Sequence, residues 1–111
     1  MVDPNTTGIQ NALARYRRAF NSLDVSAARE VWPTVNQRTL SRAFAQLEHQ
    51  NVSFDRCQID VASERAEAQC SGTARYVPRV GRREPRVDRR EWRFSLVKMR
   101  GEWFIGAVEA R

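Results

Sequence analysis

Histidine and lysine are nearly missing from this sequence: His49 is the only histidine of 111 residues, and Lys98 is the only lysine among 19 basic side chains. A single histidine excludes a histidine-rich metal centre and leaves no ligand set for one. Cysteine is confined to Cys57 and Cys70, too few for a disulfide scaffold that replaces a core. No apolar run approaches the roughly 20 residues of a membrane-spanning helix. The opening Met1-Val-Asp-Pro-Asn-Thr-Thr lacks the basic and apolar regions of a secretory leader. Gly81-Arg-Arg does not have the pattern of a phosphate-binding loop and reads as a turn, and no serine sits on a sharp strand-to-helix elbow. These absences point to a chain without membrane insertion or cofactor and favour a cytoplasmic location.

What is present suits one domain. A chain this long, 41% hydrophobic, buries roughly two-thirds of its unfolded surface on folding. Its formal charge of +6 invites an anionic partner. The arginines pervade the chain, however, and concentrate only between Arg75 and Arg93, where Glu84, Asp88 and Glu91 dilute them. A solvated arginine-rich loop and strand face is the favoured reading, and nucleic acid is disfavoured.

Ile9, Leu13, Tyr16, Phe20 and Leu23 recur at helical spacing, which predicts an amphipathic helix from near Thr7. Residues 1–6 are expected to be disordered or introduced by cloning, with residues 7–111 forming the domain. Asp24 caps a short second helix carrying Ala27, Ala28, Val31 and Trp32, which Pro33 ends. Asn36 caps a third with Leu40, Ala43, Phe44 and Leu47 on its buried stripe, closed by His49-Gln50-Asn51. From Val52 the period becomes 2, so helices precede a sheet in an α+β layout.

A turn at Ser63-Glu64 sets Val61 against Ala66, Ile59 against Ala68 and Cys57 against Cys70. Val52 and Phe54 are out of phase with that set, which predicts a bulge near Asp55-Arg56. The last strands pair around Arg100-Gly101, with Met99 facing Glu102, Leu96 facing Ile105 and Phe94 facing Ala107. One face of the sheet then offers large aromatics to the helices. The other carries Val97, Phe104 and Val108, an apolar stripe that suggests a second copy of the chain.

Tyr16 with Phe20, then Asn21-Ser-Leu-Asp24, then Arg65-Ala-Glu-Ala68, and finally Trp103-Phe-Ile105 resemble, in this order of elements, the nuclear transport factor 2-like superfamily. That superfamily includes ketosteroid isomerases and SnoaL-type polyketide cyclases. The resemblance covers Ile9 through Val108 and implies three N-terminal helices on a strongly curved antiparallel sheet of about four strands. It also implies an internal cone-shaped pocket and a homodimer formed through the outer face of the sheet. The chain departs from the usual pattern in lacking a short strand between the second and third helices. The fold alone does not imply catalysis.

The expected pocket lining is Tyr16, Phe20, Trp32, Phe44 and Cys57 from the first half, with Tyr76, Trp92, Phe94, Trp103 and Ile105 from the second. These positions serve equally as packed core. Asp55 at the bulge is the one weak candidate for a catalytic acid or base. His49 is read as exposed or near a helix end, and the two cysteines as packed and reduced. The favoured function is a non-enzymatic small-ligand-binding, assembly or regulatory module of a larger protein, taking a small apolar ligand. Alternatives are an isomerase, dehydratase or cyclase acting on a small apolar substrate, and anion or RNA binding through Arg79, Arg82, Arg83, Arg86, Arg89 and Arg90.

Overall fold

A computed structural model describes residues 3–111 as three helices followed by four strands. Helix α1 spans Pro4–Asn21, α2 Val25–Val31 and α3 Gln37–Ala45. Asp3 caps α1 by accepting from the Asn5 N–H, and Pro4 occupies the first turn, where its missing N–H costs nothing. The helix therefore begins at Pro4 rather than near Thr7. Met1 and Val2 of the segment 1–6, expected to be disordered or introduced by cloning, lie outside the described residues. Asp24 and Asn36 cap α2 and α3 through the Ala27 and Thr39 N–H groups, as their positions in the sequence suggest.

The strands β1 (Leu47–Ala62), β2 (Arg65–Pro78), β3 (Arg86–Met99) and β4 (Glu102–Ala110) form an antiparallel meander in the order β1-β2-β3-β4. Strand β1 starts earlier than the change of period suggests. Leu47 and His49 belong to it, not to α3, because they pair with Pro78 and Val77 at the far end of β2. That cross-strand pairing outweighs the helical spacing of Leu47 behind Phe44.

The first hairpin keeps the expected register, with Cys57 opposite Cys70 and a bulge between Phe54 and Arg56. The bulge returns Val52, Phe54, Cys57 and Ile59 to one face, where all four pack on the core. Gly72 faces Phe54 at that point, and a Cβ there would meet the Ser53 carbonyl and lie 2.9 Å from the Phe54 Cα. Only glycine admits so close a backbone approach.

The last hairpin turns at Arg100 and Gly101, both with positive φ, and pairs Leu96 with Ile105 as expected. A second bulge follows between Ser95 and Leu96, so Phe94 faces Val108 and not Ala107. This corrects the assignment of Val108 to the outer face: the extra residue in β4 turns it inward against the core. Thr34 Oγ1, in the α2–α3 turn, donates to the Gly106 carbonyl at the bulge.

Strand β1 is a sheet edge, and Asn21 at the end of α1 covers part of it. Its side chain accepts from the Val52 N–H (2.6 Å) and donates to the Val52 carbonyl (3.3 Å), while Gln50 donates to the Phe20 carbonyl. These contacts occupy backbone groups that could otherwise template a foreign strand.

Cys57 and Cys70 form a disulfide, overturning the expectation of reduced thiols. Direct opposition across the ladder brings their Cα atoms to 4.1 Å, so the two sulfurs meet instead of packing as separate thiols. Unreduced protein should therefore resist alkylation at both cysteines, and mass spectrometry before and after reductant reads this directly. Gly72→Ala should lower stability by about 1–3 kcal/mol, seen as a shifted urea midpoint, because the backbone of β1 must retreat.

Candidate functional site

The inner face of the sheet meets α1 through rings. Tyr16 stacks on Phe20 at 4.1 Å between centroids and presents its ring to the edge of Phe94 at 5.0 Å. Phe54 stands edge-on to Trp92 at 5.1 Å and to Phe94 at 5.9 Å. Phe94 and Ile9 are wholly buried and Ile105 is 1% exposed. Each such side chain contributes roughly 1.5–3 kcal/mol by leaving water.

The residues expected to line a pocket are brought together in part. Tyr16, Trp92, Phe94, Trp103 and Ile105 are buried in the main core, with Phe20, Trp32 and Cys57 packed against it. Phe44 belongs to a second cluster with Ala19, Ala28 and Leu40, and Phe20 joins the two by an edge contact to Phe44 at 5.1 Å. Tyr76 stands apart at the rim, half-buried, with its hydroxyl donating to Asp88.

That rim carries the polar chemistry of the inner face. Arg90 donates to the same Asp88 Oδ2 that accepts from Tyr76, at 3.3 and 3.1 Å. Burial pushes the Tyr16 phenol far above the ordinary tyrosine range, and the Arg90 guanidinium pulls weakly the other way. Sequence reasoning grouped Arg90 with the solvated loop and treated Asp88 as its diluent. Counting back in twos from Phe94 and Trp92 places both on the inner face, so the signal was there. Trp32 adds one more polar atom, an indole N–H that is buried without a partner among the described residues.

Asp55 does not join this group. Its carboxylate takes a 2.6 Å contact from Arg89, which also donates to Thr73, and more than half of its side chain is exposed. The bulge turns it away from the cone, which removes the acid or base expected there.

Nor do the six arginines converge. Arg89 binds Asp55, Arg90 binds Asp88, and Arg83 lies 3.7 Å from Glu48. Arg79 is engaged with the Leu47 carbonyl, leaving Arg82 and Arg86 exposed in solvent.

On the outer face Val97 and Phe104 are directly opposed and half-buried. Beside the ion pair of Arg93 with Glu67 (3.0 Å) lies a shallow groove of about 250 Å³ bordered by Arg56, Glu91, Glu109 and Arg111. A second hollow of about 230 Å³ lies where α1 meets α2, bordered by Arg15, Arg18, Asp24 and Glu30. His49 is exposed on β1, and among the described residues no three His, Cys, Asp or Glu side chains gather as a metal set.

Three helices on a four-stranded antiparallel sheet bent by two bulges are the α+β cone fold of the nuclear transport factor 2-like superfamily. Among solved structures, a nuclear transport factor 2-like protein from Salmonella enterica serovar Typhimurium superposes with a TM-score of 0.85 at 12% identity. The match covers 96% of this chain and 92% of that one. A provisionally named scytalone dehydratase from Novosphingobium aromaticivorans gives a TM-score of 0.85 at 15% identity, covering 100% and 87%. A hexachlorocyclohexane dehydrochlorinase, LinA-type3, from Novosphingobium barchaimii gives 0.82 at 7% identity, covering 96% and 85%. No family model matches the sequence, and no curated protein does. At these identities the likeness is one of fold.

A tyrosine whose folded pKa is raised contributes stability in full below its unfolded value, near 10, and loses it as pH rises further. An ultraviolet titration of the folded protein should show one phenol ionising late. Tyr16→Phe should abolish that late component.

Proposed function

We propose that this chain is a non-enzymatic binding and assembly domain that works from its surfaces, with the cone serving as a packed core. The ring-on-ring filling between α1 and the sheet carries this reading, since Tyr16, Phe54, Trp92 and Phe94 occupy one another's contact surfaces. The outer face is the proposed homodimer surface. Val97 and Phe104 give it an apolar centre, and Arg65 opposite Val97 with the Glu67–Arg93 pair further along the sheet supply charges of both signs, which suit a two-fold contact in which each copy meets its own complement. With Val108 turned inward, that centre is smaller than the sequence suggests.

The Cys57–Cys70 bridge bears on location, because such bonds persist where thiols are not held reduced. It supports a non-reducing compartment over the cytoplasmic one expected from the sequence. No described helix is long and apolar enough to cross a membrane.

A second reading has its own support. The unpartnered indole N–H of Trp32 packs in the same cluster as Tyr16, whose phenol is kept neutral beside Arg90. A small, largely apolar ligand offering one acceptor oxygen would satisfy that donor if the rings parted to admit it. An isomerase- or dehydratase-like activity would have to rest on Asp88, the inner-face carboxylate, which already accepts from Arg90 and Tyr76.

Light scattering should report a dimer at micromolar concentration, and the double variant Val97→Arg, Phe104→Glu should be a monomer with an unchanged circular dichroism spectrum. A parent chain that stays monomeric as concentration rises would remove the assembly reading. Tryptophan fluorescence across a small-molecule library tests the second, with a shift abolished by Trp32→Phe as its expected sign.

A further inference from the structure

The Cys57–Cys70 bridge sits where the sheet has least other support. It joins β1, an edge strand, to β2, and it lies beside the bulge that interrupts their ladder between Phe54 and Arg56. Over residues 56–62, β1 has β2 as its one strand neighbour. The hydrogen bonds that tie β1 to α1 fall at Gln50 and Val52, short of this segment. A stretch with one neighbour opens at lower cost than a central strand. The bridge therefore clamps the part of β1 that has the fewest other contacts to hold it.

The two sulfurs are not equally open to attack. Cys70 is 2% exposed, whereas Cys57 is half-buried. Thiol–disulfide exchange is an in-line displacement, so the incoming sulfur approaches along the extension of the S–S bond, from behind the sulfur it attacks. Behind Cys70 stands its β3 partner Trp92, which is buried and meets Phe54 at 5.1 Å between ring centroids. Behind Cys57 lies the edge of the sheet, since no strand follows β1 on that side. Burial makes Cys70 a reluctant leaving group and slows the exchange, but a blocked line of approach closes the alternative.

We propose that the bridge is a reversible thiol switch, opened at Cys57 by a low-molecular-weight thiol, that governs residues 56–62 of the edge strand. The incoming thiolate bonds to Cys57 Sγ as the S–S bond breaks, and Cys70 Sγ departs with the electron pair and takes up a proton. A second small thiol then displaces the first, leaving Cys57 reduced and the two small thiols joined as a disulfide. Bridged, the segment is held on β2. Reduced, it opens and carries with it Arg56 and Gln58, which border the outer-face groove of about 250 Å³, so the redox state decides whether that groove is complete. The inference is independent of pairing through Val97 and Phe104, which lie on β3 and β4.

The test begins with the folded protein in reduced glutathione, quenched with acid, denatured, blocked with N-ethylmaleimide and digested for mass spectrometry. The expected adducts are glutathione on Cys57 and maleimide on Cys70. Hydrogen exchange of the fully reduced protein should then run about tenfold or more faster at the amides of residues 56–62 than in the bridged protein, with α1 unchanged. Oxidised glutathione should restore the slow rates. Glutathione on Cys70, or a bridge that yields only after urea unfolds the chain, overturns the proposal. So do exchange rates that reduction leaves unchanged or that oxidised glutathione does not restore, and so does acceleration that extends through α1, the mark of a bond that holds the whole fold.

Discussion

The contact of α1 with the inner face of the sheet is the constraint from which the remaining geometry follows. Phe94 can be wholly buried only if Tyr16 and Phe54 close over it from the helix and from β1. For Phe54 to do so, β1 must bend, which requires an extra residue near Asp55 and a glycine opposite it. For Val108 to join from the far edge, β4 must carry a second bulge. Asn21 then fixes the end of α1 to the backbone of Val52. Long flat strands would leave half of this aromatic set in water.

The aromatic inner face ends in a polar rim. Asp88, Arg90 and Tyr76 continue the inner-face alternation beyond Trp92, where the sheet passes from core towards solvent. The Trp32 indole is the one buried polar side-chain atom without a partner among the described residues, and it lies within the same packed set. The fold thus combines a rigid hydrophobic centre with surfaces of different character: an apolar patch amid mixed charge on the sheet's outer side, and an arginine and valine loop at one end. Solved structures of the same shape include proteins named as enzymes and one named only by its superfamily. The shape alone leaves chemistry to the side chains.

The cysteine bridge adds a covalent link to the hairpin that holds the edge strand. Its loop is short, with a separation of 13 residues, so it constrains the hairpin and not the whole chain. It lies close to the bulge and to Gly72, where the ladder is interrupted and β1 has least support from its neighbour.

Local rules read well from the amino acids. Asp24 and Asn36 act as caps because a short acceptor side chain reaches a free N–H within its own turn. The Ser63-Glu64 and Arg100-Gly101 turns fall where alternation reverses, and the bulge near Asp55 shows as a break in phase. What the sequence left open depends on partners distant in the chain. His49 joins a strand because Val77 is there to pair with it, and Val108 turns inward because β4 bulges against Ser95. Asp55 finds Arg89, and Asp88 finds Tyr76, across the sheet through partners that no local pattern announces. Periodicity fixes which residues share a face, since it is set by backbone geometry within one element. Only packing between elements decides which of those faces is filled, which is bridged and which remains free to meet another molecule.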